Sequence, residues 1–126
     1  MQKNTFNELG VNSNIVRALS EFGITEPTDI QEKAIPIINS GKDIIGKSKT
    51  GSGKTAAFGI PLINKVVPKK GVQALILAPT RELAVQISRE LGKFGKYSKL
   101  GIATVYGGVS LRPQIKDIAR SEIVVS

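Results

Sequence analysis

The stretch Ser48-Lys49-Thr50-Gly51-Ser52-Gly53-Lys54-Thr55 decides the fold class of this chain of 126 residues. It follows a segment, Asp43–Lys47, that we predict to be a short strand, and it opens a predicted helix from about Gly53 to Val67. Gly51 and Gly53 allow backbone turns that a side chain would forbid, so that successive N–H groups can point at one phosphate. The alternative is a glycine-rich turn with an incidental lysine, but the order strand, loop, helix favours a phosphate-binding loop (P-loop).

Two side chains of this loop are predicted to take part in the chemistry. Lys54 would reach the β- and γ-phosphates of a nucleotide, and the Thr55 hydroxyl would ligate Mg²⁺, so both are our candidate catalytic residues. The predicted nucleotide-binding set also includes Thr50, Gly51, Ser52, Gly53 and Ala56. The strict motif has glycine at the first position, whereas this chain has Ser48, a small residue that fits.

The segments after the loop alternate between strand and helix patterns. The predicted strands are Gln73–Ala78, Gly101–Tyr106 and Glu122–Ser126, which we expect to be buried on both faces. One helix between them has Leu83, Ile87, Leu91 and Phe94 on one face, and the next, Ser110–Ala119, has Leu111, Ile115, Ile118 and Ala119 predicted to face inward. Strands that alternate with crossover helices predict a doubly wound parallel α/β sheet.

Two helices are predicted before the loop. The first is capped by Asn12 or Ser13, has Ile15, Leu19 and Phe22 on one face and ends at Gly23. The second begins near Thr28 and carries Ile30, Ala34 and Ile38, with a kink expected at Pro36. We therefore divide the chain into a helical region, residues 1–40, and the first part of a P-loop domain, residues 41–126.

Gln31 has two interpretations. Its planar amide carries one acceptor and two donors, which suits the N6/N7 edge of adenine. Thr28 and Gln31 are also spaced as a capping box, in which each side chain bonds the backbone of the other. The sequence alone favours the cap, although a capped helix start is also a rigid platform for an amide that contacts a base.

Two further motifs follow predicted strands. Pro79-Thr80-Arg81 comes after the carboxyl end of one, where open α/β sheets bind ligands, so Thr80 can cap a helix and Arg81 can bind phosphate. The alternative is an ordinary helix start in which Arg81 pairs with a glutamate. Gly107-Gly108 either lets a sugar-phosphate chain approach the backbone or is a bare turn, and its residues alone favour the turn.

Composition narrows the classes of function. The chain has no cysteine and no histidine, which excludes disulfides, thiol chemistry, Cys/His zinc sites and a Ser/His nucleophilic pair. Residues 1–40 hold three basic and five acidic side chains, whereas residues 41–126 hold fifteen basic and five acidic ones. The basic part fits a polyanionic partner, although it also fits a lysine-rich soluble surface. No stretch has transmembrane length, and residues 1–4 lead into no apolar segment of a secretory signal, so no membrane association and a cytoplasmic location are expected.

Four segments together resemble DEAD-box ATP-dependent RNA helicases. The segment around Pro27, Thr28, Ile30 and Gln31, with Phe6 upstream, looks like the Q motif of that family, and residues 48–55 look like its motif I. Pro79-Thr80-Arg81-Glu82-Leu83 looks like motif Ia, and Gly107-Gly108 looks like the paired-glycine motif. The four occur in the family's order and span nearly the whole chain.

The resemblance implies an N-terminal RecA-like domain that binds ATP or ADP with Mg²⁺. It implies adenine recognition by Gln31, supported by Phe6, Ile24, Pro27 and Thr28, although many members have an aromatic residue where this chain has Ile24. It implies RNA-backbone contacts, with little sequence preference, through Pro79, Thr80, Arg81, Glu82, Gly107 and Gly108.

The family's Asp-Glu-Ala-Asp motif does not occur in this sequence. We therefore expect a truncated domain that binds a nucleotide weakly without hydrolysing it. We also expect it either to be marginally stable or to self-associate through unpaired sheet edges. The alternatives are a non-catalytic nucleotide- or RNA-binding P-loop module and a DNA-acting relative of similar fold.

Overall fold

The computed structural model describes residues 4–126 as five helices and three short strands. The helices are α1 (Ser13–Glu21), α2 (Asp29–Asn39), α3 (Lys54–Lys65), α4 (Arg81–Phe94) and α5 (Leu111–Ala119). The strands are β1 (Ala74–Ile76), β2 (Ile102–Thr104) and β3 (Ile123–Val125). The three predicted strands after the P-loop are therefore present, each shorter at its ends than the apolar pattern indicated.

The strands form one parallel sheet in the order β1-β3-β2. Ile123 of β3 pairs with Ala74 of β1 on one side and with Ile102 of β2 on the other. All three residues of β3 are buried and β-branched, which suits a central strand covered on both faces. A parallel sheet with crossover helices confirms the predicted α/β fold class.

Side chains fix two helix starts as the sequence predicts. The Asn12 Oδ1 accepts a hydrogen bond from the Ile15 N–H at 3.1 Å and caps α1. The Thr80 Oγ1 accepts from the Leu83 N–H at 3.1 Å and caps α4. Both caps satisfy N–H groups that have no partner inside the first turn of a helix. The start of α4 is thereby fixed directly after β1.

One hydrophobic core joins the early helices to the sheet. Its members come from the turn before α1, from α1 to α4 and from β3; the largest fully buried side chains are Ile15, Leu19, Ile35, Ile60, Leu91, Ile123, Val125 and Pro61. Helix α1 packs on α4, and α2 packs on α3, which in turn packs on α4. This core holds α2 against the amino end of α3, where the P-loop lies.

The predicted strand at Asp43–Lys47 is wrong. Residues 42–49 adopt no regular structure, and Ile45 is 90% exposed. A strand needs a hydrogen-bonded neighbour, and within residues 4–126 the only ladders are those of β3 with β1 and β2. The apolar run is strand-like in composition, but the described sheet offers it no partner.

The predicted inward face of α5 is also wrong. Leu111 is 70% exposed and Ile115 is 62% exposed, Ala119 is exposed, and Ile118 is only partly buried. The buried residue of this helix is the polar Gln114. A periodic pattern shows which residues are apolar but not which of them a neighbour covers, and the described strand that α5 packs on is β2.

Two other burial predictions fail for the same reason. Leu75 of β1 is 63% exposed and Leu77, just after it, is 75% exposed, so this strand is not buried on both faces. Phe22 lies past the end of α1 and is 43% exposed.

Candidate functional site

The P-loop ends in a helix start that has no side-chain cap. Gly51 and Gly53 have positive φ angles of 81° and 88°, and Gly53 is the N-cap residue of α3. Because the first N–H groups of a helix have no intrahelical partner, those of Lys54, Thr55 and Ala56 face the open end of α3. Partial positive charge accumulates at this point, so it can hold an anion.

Hydrogen bonds between residues of the P-loop hold its backbone in a closed turn. The Lys54 Nζ donates a hydrogen bond to the Ser48 carbonyl oxygen at 2.8 Å. The hydroxyls of Ser48 and Ser52 lie 2.5 Å apart, and the Ser52 N–H donates to the Lys49 carbonyl oxygen at 3.2 Å. Ser48, which departs from the strict motif, therefore contributes both a carbonyl and a hydroxyl to the shape of the loop.

A cavity of about 580 Å³ lies beside the loop, a volume within the range of small-molecule sites. Its wall includes Thr50, Gly51, Gly53, Lys54 and Thr55 from the loop, Phe58 from α3 and Leu83, Gln86, Ile87 and Glu90 from α4. Five of the predicted nucleotide-binding residues of the loop thus share one hollow with a face of α4, whereas the predicted Ser52 and Ala56 are not among the residues that line it.

Thr55 is the predicted Mg²⁺ ligand in this hollow. Within residues 4–126 there is no group of three or more His, Cys, Asp or Glu side chains that could hold a metal ion. A Mg²⁺ ion at Thr55 would therefore keep its waters and take its other ligands from the oxygens of nucleotide phosphates.

Gln31 connects α2 to the P-loop. It is only 3% exposed, and its Oε1 accepts a hydrogen bond from the Thr28 N–H at 3.0 Å in a capping box. Its Nε2 donates to the Gly53 carbonyl oxygen at 3.2 Å. A Cβ atom on Gly53 would overlap this Nε2. The predicted cap is therefore present, and the same amide fixes the N-cap residue of α3.

Phe6 and Ile24 lie together but not in the P-loop hollow. Phe6 is 2% exposed, and both side chains line a separate cavity of about 240 Å³ with Val16, Ser20 and Thr25. Pro27 is buried before α2. The two cavities share no lining residue. Gln31 connects the predicted Q motif to the phosphate loop by a hydrogen bond, and the Thr28 hydroxyl also lies close to Gly53.

The two candidate RNA motifs meet in space. Arg81, at the start of α4, donates a hydrogen bond from its Nη2 to the Gly107 carbonyl oxygen at 3.1 Å. Its guanidinium carbon lies 4.3 Å from the centre of the Tyr106 ring. Within residues 4–126 Arg81 forms no ion pair with a glutamate, which was the alternative role.

The remaining residues of these motifs lie at the surface. Pro79 and Glu82 are exposed beside Thr80, and Gly107 and Gly108 are exposed in the loop after β2. Gly108 has a φ of 83°, a left-handed conformation that favours glycine.

A charged cluster joins α1 to the end of α4. The Glu21 carboxylate accepts hydrogen bonds from the Tyr97 hydroxyl and, at 2.9 Å, from the Lys96 ammonium. Arg17 lies over the Tyr97 ring at 4.2 Å. The hydrogen bonds from Tyr97 and Lys96 lower the pKa of Glu21, and the bond to Glu21 raises the pKa of Lys96.

Sequence reasoning missed several residues of these sites. Tyr106 directly precedes the two glycines, which was an available signal, and Gln86 and Glu90 follow from the helical spacing of α4. Gln114 gave no signal, because a polar residue in an amphipathic helix is normally assigned to solvent.

A glycine-rich loop that opens a helix beside a parallel sheet defines the class of P-loop α/β proteins. A sequence model of the DEAD/DEAH box helicases matches residues 28–126. The chain belongs to the DEAD/DEAH box helicase family.

Named relatives agree with this assignment. The chain is 45% identical over 122 residues to the DEAD-box ATP-dependent RNA helicase CshA of Geobacillus kaustophilus strain HTA426, covering 96% of this chain and 26% of that protein. A DEAD box protein from Methanococcus jannaschii matches with a TM-score of 0.92 and 45% identity, over 96% of this chain and 34% of the solved one. A hypothetical ATP-dependent RNA helicase from Sulfolobus tokodaii matches with a TM-score of 0.80 and 38% identity, over 90% and 33%.

The chain thus spans about a quarter of the curated relative and about a third of each solved relative. None of the helices in residues 4–126 combines the length and apolar character that a membrane crossing requires.

Proposed function

We propose that this chain is the nucleotide-binding first part of an ATP-dependent RNA helicase, and that it binds ATP or ADP through the P-loop. The observation that carries the proposal is Gly53, which begins α3 without a side-chain cap, in a left-handed conformation, while Gln31 holds its carbonyl. A backbone fixed in this way presents N–H groups to a phosphate without reorganising first. The similarity to the ATP-dependent RNA helicase CshA and to a hypothetical ATP-dependent RNA helicase supports the same function.

In this proposal Lys54 exchanges one oxygen partner for another. Its ammonium bonds the Ser48 carbonyl, and a phosphate in the adjoining hollow offers an anionic acceptor in place of that neutral one. Bound Mg²⁺ neutralises phosphate charge, and the Thr55 hydroxyl would be its ligand from this chain. The N–H groups of Lys54, Thr55 and Ala56 would hold the phosphate oxygens.

The base is assigned to the neighbourhood of Gln31. Oε1 has a second lone pair and Nε2 a second hydrogen beyond their contacts with Thr28 and Gly53, so the amide can still contact a purine edge. Phe6, Ile24, Pro27 and Thr28 are proposed to shape the nearby surface.

The first experiment measures ADP affinity of the chain by fluorescence titration, with and without Mg²⁺. Lys54→Ala is expected to weaken binding by about a hundredfold, since a bond from an ammonium to an anionic phosphate contributes about 3 kcal/mol. Lys65→Ala, a lysine at the far end of α3 whose ammonium bonds the Ile38 carbonyl oxygen, is the matched control and should leave the affinity unchanged. Equal affinity in wild type and Lys54→Ala would refute nucleotide binding at the P-loop.

We also propose that the 126 residues do not sustain ATP hydrolysis. Hydrolysis in this class uses carboxylates that hold Mg²⁺ and orient water, and the Asp-Glu-Ala-Asp motif is not in the sequence. Phosphate release under multiple turnover should equal that of Lys54→Ala. Release above that control would contradict this part of the proposal.

The second candidate is a non-catalytic nucleotide- or RNA-binding module. It is favoured by the Gln31 amide, whose two polar atoms are each engaged inside the protein. The purine preference distinguishes the two functions. A helicase of this family requires adenine over guanine with loss of that preference in Gln31→Ala, whereas a generic P-loop module should bind ADP and GDP alike.

A further inference from the structure

Arg81 bridges two strands that are not neighbours. It begins α4 at the carboxyl end of β1, and Gly107 follows the carboxyl end of β2, with β3 lying between these strands. Adjacent strands are about 4.8 Å apart, so β1 and β2 lie roughly 10 Å apart, and the loop after β1 together with the Arg81 side chain covers this separation. The guanidinium is held by the hydrogen bond to Gly107 and the contact with the Tyr106 ring.

The loop that receives Arg81 is fixed from its other side by Gln114. The Gln114 Oε1 accepts a hydrogen bond from the Tyr106 N–H at 2.9 Å, and its Nε2 donates to the Ser110 carbonyl oxygen at 3.1 Å. Gln114 is 7% exposed, although it lies on a helix whose apolar residues are largely exposed. We call the loop Tyr106–Ser110 the glycine loop. The buried Gln114 amide therefore forms hydrogen bonds with both the first and the last residue of this loop.

The contacts of Arg81 leave most of its hydrogen-bonding capacity available. A guanidinium has five N–H donors in a plane, and the Gly107 carbonyl takes one of them. Stacking on the Tyr106 ring uses the face of the guanidinium and not its edge. Arg81 is exposed, so the remaining donors border solvent beside the exposed backbone of Gly107 and Gly108.

We propose that Tyr106 and Gln114 are positioning residues for RNA-backbone binding, and that they act by holding Arg81 and the glycine loop as one phosphate site. The inference rests on the proposed RNA binding and adds the two residues that make separate motifs work together. Gln114 fixes the loop, Tyr106 orients the guanidinium, and Arg81 with the Gly107–Gly108 backbone contacts phosphate. Pre-organisation of this kind raises affinity because less freedom is lost on binding.

The test measures the affinity of the chain for a single-stranded oligoribonucleotide at several salt concentrations. Gln114→Met removes both loop contacts at constant volume and charge, and should weaken binding about fivefold to tenfold through lost pre-organisation, with the same salt dependence. Arg81→Gln removes a phosphate contact and should flatten the slope of log K against log salt by about 0.7. The matched control for Gln114→Met is Ile115→Met, on the exposed side of α5. The matched control for Arg81→Gln is Arg89→Gln, an exposed arginine of α4.

Tyr106 provides variants that do not depend on the buried amide. Tyr106→Phe keeps the ring and should bind RNA within about twofold of the wild type, whereas Tyr106→Leu removes the aromatic face and should approach Gln114→Met. The exchange rate of the Tyr106 amide hydrogen reports its hydrogen bond to Gln114 directly. This rate should rise in Gln114→Met, because that change removes the acceptor. ADP affinity should stay unchanged in all of these variants.

The outcomes separate the inference from the function on which it rests. If the wild type binds no RNA, the proposed RNA function and the inference both fail. If the wild type binds RNA and Arg81→Gln flattens the slope, but Gln114→Met and Tyr106→Leu bind like the wild type, only the positioning role is refuted. A parallel loss of ADP affinity would show a general structural defect and would likewise refute it.

Discussion

Gly53 combines two requirements that only glycine meets. Its φ of 88° lies in the left-handed region, and a Cβ atom would overlap the Gln31 amide. Gly51 has a similar φ of 81°, but nothing lies within 4 Å of a Cβ placed there. Substitution of Gly51 therefore tests backbone strain alone, whereas substitution of Gly53 tests strain and side-chain overlap together.

We expect Gly51→Ala to destabilise the chain by about 1 kcal/mol through strain alone, and Gly53→Ala by about 2–3 kcal/mol because overlap adds to the strain. Urea unfolding measures both. In a double-mutant cycle, Gly53→Ala should cost only the strain term of about 1 kcal/mol when it is added to Gln31→Ala, since the overlapping amide is gone. An equal cost of Gly53→Ala in the wild type and in Gln31→Ala would contradict the assigned overlap.

Glu21 makes stability depend on pH in the acid range. Its pKa is lowered by hydrogen bonds from Tyr97 and then Lys96, so the folded state binds this proton more weakly than the unfolded state, where the ordinary value is 4.5. The contribution is therefore complete above that value and is lost as the pH falls through the lower folded pKa. Denaturant midpoints between pH 6 and 3 should fall less steeply in Glu21→Gln than in the wild type.

The contact between α3 and α4 depends on a residue without a side chain. A Cβ on Gly59 of α3 would lie 2.5 Å from the Leu91 Cδ2 of α4, whereas one on Gly92 would meet nothing within 4 Å. Gly59→Ala should destabilise by about 1–3 kcal/mol through overpacking. Gly92→Ala should stabilise by about 0.5–1 kcal/mol through helix propensity. Thermal unfolding of both variants tests this, and the same sign for both would contradict the close packing of α3 on α4 at Gly59.

The elements that sequence predicted best are those with local causes. Asn12 and Thr80 cap the helices expected of them, and the strands around Ala74, Ile102 and Ile123 follow from continuous apolar runs. The candidate P-loop and the Gln31 capping box also rest on local spacing, whereas the nucleotide-binding roles assigned to them stay predictions. By contrast, the segment 43–47 and the inward face of α5 failed because pairing and burial depend on neighbours that no local pattern specifies.

Contacts between residues on different strands could not be predicted from the sequence for a related reason. The spacing between residues 81 and 107 contains no information about a hydrogen bond between them. Parallel pairing places both loops at the carboxyl edge of the sheet, but only the strand order β1-β3-β2 defines how far apart they lie there. Tyr106 has a local signal because it precedes the two glycines, whereas the contact of Gln114 with Tyr106 depends on where α5 lies beside β2.

At the scale of the molecule, apolar residues lie exposed on and near an edge strand. Leu75 and Leu77 are more than half exposed on β1 and just after it, and β1 pairs with β3 on one side within the described sheet. Exposed apolar edges favour pairing with another chain. Sedimentation velocity should show association of the chain that rises with concentration, and Leu77→Lys should reduce it. Val67→Lys adds the same charge in the loop before β1 and should not, while a wild type that stays monomeric at high concentration would refute the self-association proposal.

Strand order also determines when the described ladders can form during synthesis. Within residues 4–126 the central strand, Ile123–Val125, is translated after both outer strands, and both hydrogen-bond to it. Until residues 123–125 have left the ribosome, β1 and β2 lack this shared partner. A nascent chain arrested near residue 120 would therefore expose the edges of β1 and β2 to proteases and chaperones.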